Sequence, residues 1–326
     1  MLSDTKPPVL PQYIHSTSGL PKVSWAKGSY VYDVDGKRYI DGSGGPAVYR
    51  QSWVKEAGYE KFPTDLDNFL KLCQNLKKNG HPPGFALGNA VGDGNSFTHW
   101  LVWSHGGFMV DENLKVAINS KETIAALKYA KELYETFIPG TLSWLDPSNN
   151  KALTAGEIGL TQNGVSLYFS IKNSKDPEIA KIGPDLNHAR MPVGPVGRPT
   201  ETALVVNAMA FKHTKYPNAA KAYLQFMMEQ EQYDKWLTGC YGYWAQPLKA
   251  YAKSKVWESD PKITLYRDTI ENALWYGYKG PITEAASAVN AEYVMVQMVA
   301  SVCAGQATPE QAAAEAERRA KRYYRT

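Results

Sequence analysis

The chain has 326 residues, 44% of them hydrophobic and 21% charged, enough to bury a large core and unlike the composition of a disordered chain. Its 36 Lys and Arg against 32 Asp and Glu leave a net charge of +4 with no block of like charges, too mild a field to mark a nucleic-acid surface. Length alone predicts two domains, and no run reaches the roughly 18 uninterrupted apolar residues of a membrane helix, since the most apolar stretch, Val294 to Ala304, is broken by Gln297 and Ser301.

Met1 to Gln12 carries Asp4, Lys6 and Pro7-Pro8 where a secretory signal needs a basic start and an apolar core, so the sequence as written predicts a cytoplasmic chain. Tyr30, Tyr32 and Val34 alternate before Asp35-Gly36, and Arg38 to Ile40 resume the extended pattern, which predicts a hairpin with a type I′ turn. Gly42-Ser43-Gly44-Gly45 fits neither phosphate-binding glycine motif and reads as a hinge or seam. From Tyr49 onward, amphipathic helices alternate with short apolar strands, an α/β pattern. Thr64 is the expected cap of a helix with Leu66, Phe69, Leu70, Cys73 and Leu76 on one face, ended by Asn79-Gly80. Ser120 opens another, with Ile124, Leu127, Ala130, Leu133 and Phe137 as its stripe.

Ile158, Leu160 and the Val165 to Phe169 segment are expected as two short extended or buried pieces separated by Gln162-Asn163-Gly164. Met191 to Thr200 holds three prolines and two glycines and reads as a linker between α/β stretches. Thr202 to Phe211 is expected as a buried strand. Ala219 to Leu237 is expected as one long helix with Tyr223, Phe226, Met227 and Trp236 on its apolar side, followed by a second connection at Tyr243 to Pro247. Ser287 to Ala304 is apolar. The last helix has Thr308 as N-cap, Pro309 at its first position and Gln311 at capping-box spacing, and its basic end suits the helix dipole.

Little in the chain points to catalysis. Cys73, Cys240 and Cys303 are far apart with no CxxC and read as free thiols, mostly buried. His99 and His105 lack the spacing and flanking carboxylates of a metal site, no GxSxG elbow exposes a serine, and the pairs Asp65/Asp67 and Glu315/Glu317 point in different directions from their helices. No catalytic residue, metal or cofactor is therefore assigned. Nine Trp and 21 Tyr are many for this length, and several sit beside Gly, Asn or Pro, an arrangement suited to the apolar face and hydroxyl rim of a sugar as well as to ordinary packing.

The order of motifs carries more. Tyr49-Arg50-Gln51-Ser52-Trp53, Glu56-Ala57-Gly58-Tyr59, Pro63-Thr64-Asp65-Leu66, Trp103 before Gly106-Gly107, Ala155-Gly156-Glu157 before Gln162-Asn163-Gly164, Pro192 to Pro199, Tyr216-Pro217-Asn218-Ala219-Ala220 and Gly305 to Ala313 follow one another as in family 1 extracellular solute-binding proteins. The stretch from about 49 to 326 resembles the C-terminal two thirds of such a protein, the periplasmic sugar-binding component of an ABC importer. Thr17 to Gly45, through Trp25-Ala26-Lys27-Gly28-Ser29-Tyr30 and Asp35-Gly36-Lys37-Arg38-Tyr39-Ile40-Asp41-Gly42, resembles instead the N-terminal hairpin region of class III pyridoxal-phosphate aminotransferases.

The first resemblance implies a periplasmic-binding-protein-like (type II) α/β architecture of two lobes closing on a ligand, here with one lobe largely missing. Residues 46–200 and 256–326 would form the second lobe, 201–255 a remnant of the first, and 1–45 the aminotransferase-like segment. It implies a cleft carrying Tyr49, Asn163, Ser166, Tyr168, Glu201, Tyr243 and Trp244, with Ser166 where some relatives place a tryptophan and Tyr168 two residues further on. Its partners would be a small solute, a sugar, and the importer's permease, with a monomer acting in the periplasm and no reaction catalysed. The cofactor chemistry of the second resemblance needs a large domain that 45 residues do not supply. The expectation is thus a truncated solute-binding protein with impaired capture, and the alternatives are a degenerate aminotransferase fragment or a fusion without a binding role.

Overall fold

The structure is a computed structural model. It describes residues 45–202, 209–243, 249–269 and 273–325, together with the backbone of 23–27, 30–33 and 38–40. The first three strands, β1 (Val23–Lys27), β2 (Tyr30–Asp33) and β3 (Arg38–Ile40), form their own antiparallel sheet. The expected hairpin is the β2–β3 pair, with Tyr30 opposite Ile40 and Tyr32 opposite Arg38; the Asp35-Gly36 turn lies outside the described residues.

The organising strand is β4 (Ala47–Arg50), which lies between β5 (Leu160–Gln162) and β6 (Leu186–Ala189), antiparallel to both. Because successive side chains of a strand point to opposite faces, Ala47 and Tyr49 enter one hydrophobic core and Val48 enters another. The first core takes in α1 (Gln51–Glu56), α2 (Leu66–Lys78), α3 (Asp93–His105), α4 (Lys121–Tyr134) and, from the far end of the chain, α12 (Glu284–Ala291), α13 (Val294–Cys303) and α14 (Pro309–Ala320). The second gathers α5 (Asp146–Thr154), α6 (Ser166–Lys172), α9 (Gln230–Gly239), α10 (Val256–Ser259) and α11 (Thr264–Thr269). Two helices, α7 (Pro177–Ala180) and α8 (Pro217–Met227), bury no residue.

Capping chemistry sets several boundaries. Ser120 Oγ accepts from Thr123 N at 3.2 Å, as expected, but α2 is capped by Asp65 rather than Thr64, its carboxylate taking Asn68 N at 2.9 Å. Aspartate there also places a negative charge at the positive end of the helix dipole. Thr308 and Gln311 exchange both bonds of a capping box, at 3.2 and 3.0 Å. Thr308→Ala removes one of these and is expected to cost about 1 kcal/mol, read as a lower melting temperature by circular dichroism.

Three expectations are corrected. The Val165 to Phe169 piece is largely buried, one of its two expected states, but 166–172 is helical rather than extended, with Leu167, Tyr168 and Ile171 turned inward at helical spacing. The long helix from 219 is two helices that break at Met228–Glu229, where Glu229 is extended at ψ 139°. Tyr223 and Trp236, expected on a buried side, are 61% and 43% exposed. Of the expected strand from Thr202 to Phe211, residues 203–208 lie outside the described residues, while Met209 and Phe211 are exposed. The proline-rich linker is held along its path: Val193 N donates to Thr64 O at 2.8 Å, and the Trp100 indole N–H donates to Pro192 O at 3.0 Å.

Candidate functional site

Three stretches distant in sequence meet at one end of the β5–β4–β6 sheet. Gly45 offers its carbonyl to Gln162 Nε2 at 2.6 Å, and Asn163 N donates to Pro46 O at 3.1 Å. Leu274 N donates to Glu201 O at 2.8 Å, and Thr202 and Leu274 form a parallel bridge. The Thr202 hydroxyl donates to Ser96 Oγ in the first turn of α3 at 3.0 Å. Tyr276 lies beside Ser96 and Thr202, and burial pushes its hydroxyl up to about 12.

The start of α3 is fixed by a carboxylate from another helix. Asp146, the first residue of α5, accepts Asp93 N at 2.8 Å, Gly92 N at 3.0 Å and Val91 N at 3.1 Å. Asn149, fully buried one turn later, donates to Asp93 Oδ2 at 2.8 Å and to Gln162 O at 3.1 Å, joining helix and strand. Burial, with the Asp146 carboxylate close by, pushes the Asp93 carboxyl up to about 7. Gly88 makes this closeness possible, because a Cβ there would lie 2.5 Å from Trp144 O.

The residues expected in the cleft divide into two groups. Asn163, Gly164, Ser166 and Tyr243 lie together: Asn163 Nδ2 donates to Asn150 Oδ1, Ser166 opens α6, and the Tyr243 ring covers Gly164 so closely that a Cβ would sit 2.9 Å from it. Gly164→Ala is accordingly expected to displace Tyr243 and cost about 1–2 kcal/mol, read by thermal melting. Tyr168 is buried beside them but turns its hydroxyl to Asp260 at 2.7 Å. Tyr49 lies in the first core, stacked on Phe62 at 4.8 Å, with burial pushing its hydroxyl up to about 12. Glu201 is fully buried, accepting from Arg190 and from Met191 N, each at 3.1 Å. Trp244 lies outside the described residues.

Asp260 organises a second polar group. It accepts from Tyr168 and Tyr241 at 2.7 Å each and from Lys172 at 2.9 Å. Against the upward push of burial, these bonds hold its carboxyl well below the usual range. The Lys262 ammonium nearby donates to the carbonyls of Pro184 and Leu186, each at 2.6 Å. Sequence reasoning passed over Asp93, Asn95, Asn149, Thr202 and Asp260, and took Gln162 only as part of a turn. The available signal was local, since Asp93-Gly94-Asn95 and Asn149-Asn150 are polar clusters opening helices and Gln162 precedes the Asn163-Gly164 turn.

With this geometry, a family match is decisive. Residues 10–264 match the model of the bacterial extracellular solute-binding proteins, and the chain belongs to that family, one of binding proteins rather than enzymes. No curated protein sequence matches it. Its α/β fold is that of periplasmic sugar-binding proteins. Maltose-bound MalE3 of T. maritima superposes with a TM-score of 0.68 at 22% identity, over 88% of this chain and 73% of that one. An ABC transporter solute-binding protein of Agrobacterium radiobacter K84, in complex with ribitol, gives 0.70 at 18% identity over 96% and 79%. One from Agrobacterium vitis S4 with bound D-mannitol gives 0.67 at 20% over 89% and 73%.

Proposed function

We propose that the chain captures a sugar or polyol without covalent chemistry and hands it to the permease of an ABC importer, acting outside the cytoplasmic membrane. The family match over residues 10–264 is the observation that carries this reading. The meeting of 45–46, 201–202 and 274–276 beside a buried polar group supports it, because a ligand held where chain segments cross between lobes can couple binding to closure. In this reading 46–200 and 256–326 make one lobe, 201–255 is a return piece of the other that packs on the first through Tyr233, Leu237 and Tyr251 in the second core, and 1–45 is a separate hairpin segment. Asn163, Ser166 and Tyr243 face the solute, and Tyr49, Tyr168 and Glu201 stand behind them.

A thermal-shift screen against maltose, ribitol, D-mannitol and related solutes tests the reading. A solute at about 100 times its dissociation constant is expected to add roughly 2.7 kcal/mol of stability. A cooperative melt that no sugar or polyol moves would count against it.

A further inference from the structure

We infer that Asn95 and Gln162 form a pair of buried acceptors that select neutral, hydroxyl-donating solutes over sugar acids. Both residues are closed off from solvent, at 1% and 2% exposure. Their amide orientation is fixed by their own donors: Asn95 Nδ2 donates to Val91 O at 3.1 Å and Gln162 Nε2 to Gly45 O at 2.6 Å. The atoms left over are therefore the oxygens, and among the described residues nothing donates to Asn95 Oδ1 or Gln162 Oε1. A buried acceptor without a donor is a standing cost to the fold. Two of them in one polar group mark a place whose donors come from a bound molecule.

They do belong to one group. Asn149 ties Gln162 O to Asp93, two residues before Asn95. Ser96, next to Asn95, receives the Thr202 hydroxyl, and Gln162 holds Gly45, so both acceptors lie where the three segments meet. The charges around them decide which donors are welcome. Asp93 and Asp146 are acidic, and among the described residues no lysine or arginine hydrogen-bonds to Asp93, Asn95, Asp146, Asn149 or Gln162. A carboxylate or phosphate on the solute would meet two unpaired acceptors beside the Asp93 and Asp146 carboxyls, with no cation among the described residues hydrogen-bonded to any of them, whereas a polyol hydroxyl supplies the proton each oxygen lacks.

This inference rests on the solute-binding reading above, and the test separates the two. Calorimetric titration of the full chain with D-mannitol, ribitol and maltose, and with gluconate and glucuronate, is run on the native protein and on Asn95→Leu and Gln162→Met, which keep shape and remove the acceptor. The native chain is expected to bind a neutral member at least about tenfold more tightly than either acid. Each variant is expected to lose roughly tenfold or more in affinity while its ligand-free melting temperature changes by no more than about 2 °C. The amide donor bond it loses is offset by removal of an unpaired buried oxygen, and a purely structural role would not give this split between affinity and stability. Asn95→Ser and Gln162→Thr replace any variant that fails to fold and are expected to lose affinity to the same order. Native binding of a neutral solute with unchanged variants, or equal binding of an acid, overturns the inference and leaves the solute-binding reading standing. No binding of any of the five overturns both.

Discussion

Glu201→Ala is expected to lower stability by roughly 3 kcal/mol, which for a chain of this size means about 4–5 °C in the thermal midpoint. The loss has two sources. Glu201 is fully enclosed and accepts Met191 N, so its removal leaves a buried backbone N–H without an acceptor, at about 1–3 kcal/mol. It also leaves the Arg190 guanidinium unpaired, but Arg190 is 28% exposed and can turn toward water, which moderates the cost. Burial outweighs Arg190 and the Met191 N–H in setting the Glu201 carboxyl and raises it above its ordinary value. The neutral Glu201→Gln variant keeps an acceptor without the buried charge and is expected to lose less than 1 kcal/mol. A Gln variant as damaged as the Ala variant would show that charge, rather than the Met191 bond, is what the fold needs.

Asp93→Asn is expected to stabilise the protein at pH 8 and leave it unchanged at pH 4. The Asp93 carboxyl titrates near 7 in the folded chain and near 3.9 when unfolded. Below pH 4 both states hold the proton, and Asp93 contributes no difference. Between pH 4 and 7 the unfolded chain gives up its proton first, the native state binds more protons, and stability falls as pH rises. Above 7 the full penalty remains, at most about 4 kcal/mol and roughly 2 after allowance for the partial exposure of the group. Asparagine carries no such penalty and still accepts from Asn149 through its Oδ1. Urea denaturation of both proteins across pH 4–8 isolates the effect, because carboxylates such as Asp260 contribute equally to both. A stability difference that does not change with pH would dismiss the buried, proton-holding carboxyl.

How far the sequence could be read depended on whether local signals and tertiary packing agreed. Helices α2 and α4 were legible because a cap, an apolar stripe and a terminating signal coincide within about fifteen residues. The run Val165 to Phe169 was misread because a short apolar segment has no periodicity to decide between strand and helix. The break at Met228–Glu229 leaves no local trace, since Met-Met-Glu-Gln is good helical sequence; the Tyr251 hydroxyl, 23 residues away, takes the Met228 carbonyl. At the site, the Asn163-Gly164 turn and Tyr243 could be named from the order of motifs. Asp93 and Asn149 could not, because each matters through hydrogen bonds to segments tens of residues away.

The first core also constrains when the protein can fold. Ala312, Ala313, Ala316 and Ala320 of α14 close over a cluster that includes Leu72, Leu127 and Leu133, so helices roughly two hundred residues apart share one interior. During synthesis, α2, α3 and α4 emerge with their apolar faces uncovered and wait for nearly two hundred further residues before α13 and α14 arrive. The nascent chain thus exposes sticky surface on the ribosome until α14 is released, and chaperones that shield such surface gain a long window in which to act.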